Sequence, residues 1–352
     1  MTLSTVSTLS LARQIRNNVR QTQTEMQTLQ QELSTGRRID VAGSLGSRAA
    51  ALLDLRNVRN EIGQFQTAMA AQASRMATMQ DALSAMREAT TKVRDLALAA
   101  SGGGSETTMS VIDEAARDAL RTVTNMLNSS MSGRFLFGGT RFDQTPIQAA
   151  DQPAPSGLSP DGAVQQVLAG FGPITSAADV DALIDGPNGL TALFDDTRVP
   201  AAGNFSNTFF HGSTDPVVAR AEGSVTVTYG ATAGDPAVRD MLKGLHLLNA
   251  IPAGSVPDAA YQRVAERAWG LINSATQQLT ETQSILGLEE QTITRTQDRL
   301  AVEQTLVSTQ IVRLEEADPY EATLRLDVLR NQLEATFAVT SNLGRLSLVN
   351  YL

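Results

Sequence analysis

The 352-residue chain has no cysteine. That excludes a disulfide framework, a thiolate nucleophile and any metal site built on thiolates. Histidine is nearly as scarce, with only His211 and His246, so histidine catalysis and a histidine metal centre have little to be made from. His246, between Leu245 and Leu247, reads as a packed helix residue. His211, in a Phe-Phe-His-Gly run, reads as a solvated turn residue. No run reaches the roughly 18 apolar residues that a membrane span needs. Met1 to Arg13 lack a basic region leading into an apolar stretch and a small-residue cleavage site. The expectation is therefore no membrane insertion, and either a cytoplasmic chain or one exported without a cleaved signal.

Proline is all but missing from both ends. The first 145 residues contain none, and from Asp258 to Leu352 there is only Pro319, whereas eight fall between Pro146 and Pro216. Proline removes a helical donor and clashes with the preceding turn, so the ends are free to be long helices and the middle is not.

The apolar periodicity agrees. Ile15, Val19, Thr22, Met26, Leu29 and Leu33 step by four and three, with polar residues between them. Ser34-Thr35-Gly36 then stops the helix, Gly36 supplying a left-handed cap. A loop of small residues, Val41 to Ser47, precedes a second helix that carries Ile62, Phe65, Met69, Ala73, Met76, Met79, Leu83, Met86, Thr90 and Val93, and ends at Gly102-Gly103-Gly104. A helix that long exceeds the width of a compact domain and implies a rod. A third helix follows, with Ile112, Ala116, Val123, Met126 and Leu127 on one face. In the C-terminal part Leu286, Ile293, Leu300, Val307 and Leu314 recur every seven residues with polar companions, a stripe too narrow to stand alone. Asp318 breaks that helix and caps the next, with Pro319 at its first position and Glu321 at its third. Leu326, Leu329, Leu333 and Phe337 mark the last helix.

The middle differs. Val225, Val227 and Tyr229 alternate with Thr226 and Thr228, the period of a half-buried strand, and a short helix is expected over Ala177 to Leu193. Acidity gathers here: eleven carboxylates lie between Asp143 and Asp235 against Arg198 and Arg220, which accounts for the net charge of -9 of the whole chain. Such a surface repels nucleic acid and anionic membrane and discourages random sticking. The near-neutral ends lack that protection.

These readings give a mainly α fold: an elongated, discontinuous helical bundle or coiled coil formed by both ends, with an inserted mixed α+β, β-rich domain. The expected division is residues 1–40 with 318–352 as a terminal coiled-coil assembly domain, 41–141 with 236–317 as a helical rod, and 142–235 as an acidic, outward-facing insertion. The candidate assembly residues are Ile15, Val19, Met26, Leu29 and Leu33 in the first helix and Leu326, Leu329, Leu333, Phe337 and Leu348 in the last.

Candidate chemistry does not assemble. Gly43-Ser44-Leu45-Gly46-Ser47-Arg48 precedes a helix but lacks the Gly-Lys-Ser/Thr of a phosphate loop and follows no hydrophobic strand. Asp195-Asp196 has no calcium-loop spacing around it and reads as solvated. The methionines of the second helix read as core packing. Arg13, Arg16, Arg20, Arg37 and Arg38 are offset by Glu25, Glu32 and Asp40, and no aromatics accompany them for stacking on bases. Neither a cofactor nor an enzymatic activity is expected. The pattern alone leaves open a coiled-coil signalling module or a chaperone for partner helices, although neither needs a discontinuous layout with a strand-bearing insertion.

Four segments resemble the bacterial flagellin family, and within it the members that join hook to filament. Leu33-Ser34-Thr35-Gly36-Arg37-Arg38-Ile39 is similar to the family's N-terminal signature, with Ser34, Thr35 and Gly36 at its centre. Gly133-Arg134-Phe135-Leu136-Phe137-Gly138-Gly139-Thr140 is similar to a segment of the junction members, Gly133, Arg134, Phe137, Gly138 and Gly139 carrying the likeness. Asp318-Pro319-Tyr320-Glu321-Ala322 and the ending Ser347-Leu348-Val349-Asn350-Tyr351-Leu352 also match. The likeness spans about Thr5 to Thr140 and Asp258 to Leu352. Where the family commonly has acidic residues and a proline just after the Thr-Gly-Arg turn, this chain has Ala42-Gly43-Ser44-Leu45-Gly46, a departure that counts against flagellin itself, whose version of the turn is more uniform. The resemblance implies an extracellular structural role, with self-assembly into a ring or tube. It implies contact with a hook-side junction protein and with flagellin, and passage through the flagellar type III export apparatus with an export chaperone. A filament subunit is the alternative within the family.

Overall fold

The computed structural model describes residues 8–103, 106–222 and 225–349. Thr5, Gly104 and the final Asn350-Tyr351-Leu352 lie outside them. The described residues form α-helices and two small antiparallel sheets, so the mainly α reading holds. None of these helices is long and apolar enough to cross a membrane. The chain divides into two compact units, Met1–Gln64 with Leu300–Leu352, and Phe65–Arg299.

In the first unit, α1 (Thr8–Thr35) ends where Gly36 turns left-handed, at φ +67°. A side chain there costs about 1–2 kcal/mol, which is why glycine makes the stop. The loop of small residues expected next is instead helical: α2 (Val41–Leu45) followed by one 3-10 turn, Gly46–Arg48. Asp40 causes this. Its Oδ1 accepts from Gly43 N at 2.9 Å and its carbonyl from Ser44 N at 3.1 Å, satisfying the donors of a helical first turn. α3 (Ala49–Ser101) begins here. The C-terminal half of the unit comprises the end of α10 (Asp258–Glu315) and α11 (Pro319–Val349). Asp318 caps α11, its Oδ1 accepting from Tyr320 N at 2.9 Å. α1 and α11 pack together, and α1 ends where α11 begins, so the two run antiparallel.

In the second unit the expected stripe of α3 is the core: Met69, Met76, Met79, Leu83, Met86 and Val93 are buried. Leu286 and Ile293 of α10 are buried as well. Gln80 Nε2 donates to Gln283 O at 2.8 Å and Gln283 Nε2 to Ser84 Oγ at 2.9 Å, so α3 and α10 lie side by side here. α4 (Glu106–Leu127) buries Ile112, Ala116, Val123 and Leu127 and packs on α9 (Pro236–Ala250). Each such apolar side chain contributes about 1.5–3 kcal/mol by leaving water.

Between α4 and α9 lies the mixed segment. β1 (Ser130–Met131) and β2 (Arg134–Phe135) form a hairpin. The helices α5 (Pro160–Phe171), α6 (Ala177–Asp185), α7 (Leu190–Phe194) and α8 (Phe205–Thr208) follow. The single helix expected over Ala177 to Leu193 is thus two, because Gly186-Pro187-Asn188-Gly189 interrupts the backbone ladder. Ser176 and Asp179 cap α6 reciprocally. β4 (Val225–Tyr229) is the expected strand, pairing antiparallel with β3 (Val217–Glu222). Val227 is buried while Thr226 and Thr228 are exposed. Phe194, Phe205 and Phe209 fill the centre, with ring centroids 4.9–5.8 Å apart.

Candidate assembly site

The first unit is organised around one node. The turn after α1 is stitched to the break between α10 and α11: Arg38 N donates to Glu315 O at 2.8 Å, Ala317 N to Gly36 O at 3.1 Å, and Arg38 Nε to Glu316 O at 3.1 Å. Glu315, only 6% exposed, accepts from Arg56 Nε at 3.1 Å and lies 3.7 Å from Arg37 Nη1. Glu32 Oε1 accepts from Ile39 N at 2.8 Å, tying the helix end to the outgoing strand of backbone. Ser34 and Thr35 return their hydroxyls to Gln31 O. The sequence signature at residues 33–39 is therefore the half of a clamp whose other half is Glu315–Ala317.

From that node α1 and α11 lie together and incompletely covered. Ile15, Val19, Met26, Leu29 and Leu33 are half-buried; Thr22 is buried. On α11, Leu326 is buried, Leu329 and Leu333 are half-buried, and Phe337 is 51% exposed. Leu348 is within the helix, but its side chain is outside the described residues. Leu324 and Val328 stand out at 57% exposure each. They line a groove of about 590 Å³ between α1 and α11, together with Leu29, Leu329, Glu25, Glu32 and Glu321.

The second motif is built by close backbone approach. Ser132 and Gly133, at φ +52° and +75°, make the two-residue turn of the β1–β2 hairpin. The Arg134 guanidinium sits 3.7 Å over the Phe142 ring. Phe137 is fully buried, and its carbonyl accepts from Ala233 N at 2.8 Å. Gly138 O accepts from Ser213 N at 2.9 Å. A Cβ on Gly138 would lie 2.4 Å from Arg141 O and one on Gly139 2.1 Å from Ser213 O, so neither position admits a side chain. This segment anchors the middle of the chain to the end of α4.

The remaining polar groups make structural contacts. His246 is buried on α9 and is not merely packed: its Nδ1 lies 3.1 Å from Asp161 Oδ1. His211 is half-buried rather than solvated, with Nε2 3.3 Å from Gln148 Oε1, and burial lowers its pKa. Asp196 is not a solvated carboxylate either: it binds Arg239 at 3.0 Å and Ser206 N at 2.7 Å. The reason is common to all three, a partner far away in sequence. Asp113 accepts from Ala253 N at 3.1 Å and from Tyr261 Oη at 3.4 Å; burial raises its pKa against those hydrogen bonds. Burial also raises the Tyr261 pKa, with help from Asp113. No grouping of three or more potential metal ligands occurs among the described residues. Sequence reasoning missed Arg56 and Glu315. Glu315 ends a helix directly before the Asp318-Pro319 break, the one local signal that could have singled it out.

No curated protein matches the chain. A solved structure of a putative flagellar hook-associated protein from Vibrio parahaemolyticus shares the fold at TM-score 0.52, with 12% identity over 77% of this chain and 98% of that one. The Bacillus cereus FlgL crystal structure aligns at TM-score 0.39, with 11% identity over 76% of this chain and 100% of that one. The bacterial flagellin N-terminal helical region matches residues 6–141 and the bacterial flagellin C-terminal helical region residues 269–352. Those two matches take in well over half of the sequence and include the node, the α1–α11 pair and the glycine segment: the chain belongs to the bacterial flagellin family.

Proposed function

We propose that this flagellar protein is a structural, non-catalytic subunit placed between hook and filament, joining a hook-side junction protein to flagellin. One observation carries the reading: α1 and α11 form a pair whose apolar stripes are only half covered within one copy. A helix pair so exposed gains its remaining burial from neighbours, at about 25 cal/mol per Å² of apolar surface. Residues 1–40 and 318–352 are the assembly domain in this reading, and the acidic 142–235 segment faces outward. The Gly133–Thr140 segment and the Ala42–Gly46 turn favour a junction subunit over a filament subunit. The shared fold with a protein described as hook-associated is in keeping with it. Further partners on this reading are other copies in a ring or tube, the type III export apparatus and an export chaperone.

Deleting the gene tests the proposal. The expected phenotype is intact hooks that fail to retain filaments, with flagellin released into the medium. Filaments still attached to hooks would overturn it, and loss of filament without released flagellin would point to a filament subunit. Limited proteolysis of the free chain is expected to cut before Leu33 and after Leu326; resistance at both ends would count against incomplete terminal helices.

A further inference from the structure

We propose that a cleft in the middle of the chain, between Arg141 and Arg239, binds a hydroxylated anion: a sugar carrying a carboxylate or a phosphate group. The inference stands apart from the junction reading and concerns the 65–299 unit alone.

The cleft encloses about 400 Å³, within the range of about 300–1,000 Å³ typical of small-molecule sites. Its composition runs against its surroundings. Between Asp143 and Asp235 eleven carboxylates stand against Arg198 and Arg220. Yet none of the described residues lining the cleft is acidic, and Arg141 and Arg239 both line it. Two guanidinium groups exclude a cation.

Arg239 is fixed in place. Its Nε donates to Gly234 O at 2.9 Å, and its Nη1 to Phe194 O at 2.7 Å and to Asp196 Oδ2 at 3.0 Å. The guanidinium lies 4.4 Å from the centre of the Phe205 ring. Nη2 makes no hydrogen bond among the described residues, so a donor that is already ordered remains for a ligand. Arg141 is exposed, and its side chain has no ion pair among the described residues, Asp143 included. Asp215, the other carboxylate close by, accepts from Ser213 Oγ at 2.8 Å.

His211 adds an acceptor to these donors. Gln148 Nε2 donates to the carbonyls of Gln152 and Pro153, at 3.3 and 3.2 Å, which leaves its Oε1 to accept. His211 Nε2, 3.3 Å from that oxygen, is therefore the protonated nitrogen. Burial lowers the pKa of the ring, so at neutral pH Nδ1 holds a lone pair, and it has no partner among the described residues. A bare anion needs donors only. An acceptor beside them suits a ligand that also carries hydroxyl groups. Phe210 supplies an apolar wall, filling the room that side chains on Gly212 and Gly234 would need: a Cβ there would lie 2.7 and 2.8 Å from its ring.

Isothermal titration calorimetry of the full-length chain with glucuronate, glucose-6-phosphate, glucose and acetate tests the proposal. A charged sugar is expected to bind in the millimolar range or tighter. It should bind about tenfold more tightly than glucose, which lacks the anion, and than acetate, which lacks the hydroxyls. Glucuronate ahead of glucose-6-phosphate assigns a carboxylate ligand, and the reverse order a phosphate. Arg141→Gln is expected to weaken both charged sugars about tenfold without moving the thermal midpoint, since that side chain holds nothing in the fold. His211→Phe is expected to reduce them to the level of acetate; should that variant unfold, Arg141→Gln decides alone. No binding of either charged sugar, glucose binding as well as they do, or indifference to Arg141→Gln would each overturn the proposal. The deletion phenotype bears on none of these outcomes.

Discussion

Gly139→Ala isolates the effect of a close backbone approach. Gly139 has φ +61°, and a Cβ there would lie 2.1 Å from Ser213 O and 3.0 Å from Asp215 O. The left-handed backbone costs about 1–2 kcal/mol for alanine. Relieving the collision moves the Ser213 loop away and breaks its hydrogen bond to Gly138, adding about 0.5–1.5 kcal/mol. The sum is about 2.5 kcal/mol. Gly133→Ala is the matched control: its φ is +75°, but no atom lies within 4 Å of the new methyl, so only the backbone cost of about 1 kcal/mol remains. Each kcal/mol shifts the midpoint of a unit this size by about 2–4 °C, giving a drop of about 5–10 °C for Gly139→Ala and about 2–4 °C for Gly133→Ala. The assay is thermal unfolding followed by Trp269, the only tryptophan, which belongs to the same 65–299 unit. Equal midpoints for the two variants would refute the close-approach argument.

Glu315→Ala is expected to lower the stability of the 1–64 and 300–352 unit by about 2 kcal/mol in a denaturant titration, discounted from a fully buried pair because Arg56 is 41% exposed. Glu315→Gln should cost less, and no change for either would mean that the clamp contributes nothing. Leu83→Ala, at a fully buried site, is expected to cost about 3 kcal/mol by Trp269 fluorescence. Asp113 has its pKa raised above the ordinary 3.8, chiefly by burial. The stability linked to it is therefore full below the ordinary value and lost as pH rises through the raised one. Asp113→Asn should accordingly gain on the native chain as pH rises from about 4 to 7, and a gain in the opposite direction would exclude that sign.

Features that act within one helical turn are legible in the sequence. Gly36, the Asp318 cap and the stripe from Met69 to Val93 each depend on neighbours three or four positions away, so periodicity and local chemistry suffice. The α2 helix is local too, but its small residues resemble a loop, and only the Asp40 cap marks it as helical. Other features are set by residues distant in the chain. Nothing near Val225 announces β3 as its partner, nothing near Asp196 announces Arg239, and nothing near Arg56 announces Glu315. The glycines of 133–140 stand out as a pattern, yet their reason, backbone atoms of Arg141 and Ser213, becomes visible only in three dimensions.

The clamp between Gly36–Arg38 and Glu315–Ala317 also sets an order of events. Arg38 and Glu316 are 278 positions apart, and closing so long a flexible span costs about 5 kcal/mol of chain entropy. Once α3 and α10 have zipped together at Gln80 and Gln283, most of that span is already held, and only short tails remain to be gathered. A polypeptide made from its amino end must therefore carry α1 unaccompanied while α3 to α10 are added, and that helix finds its mate only once α11 has arrived.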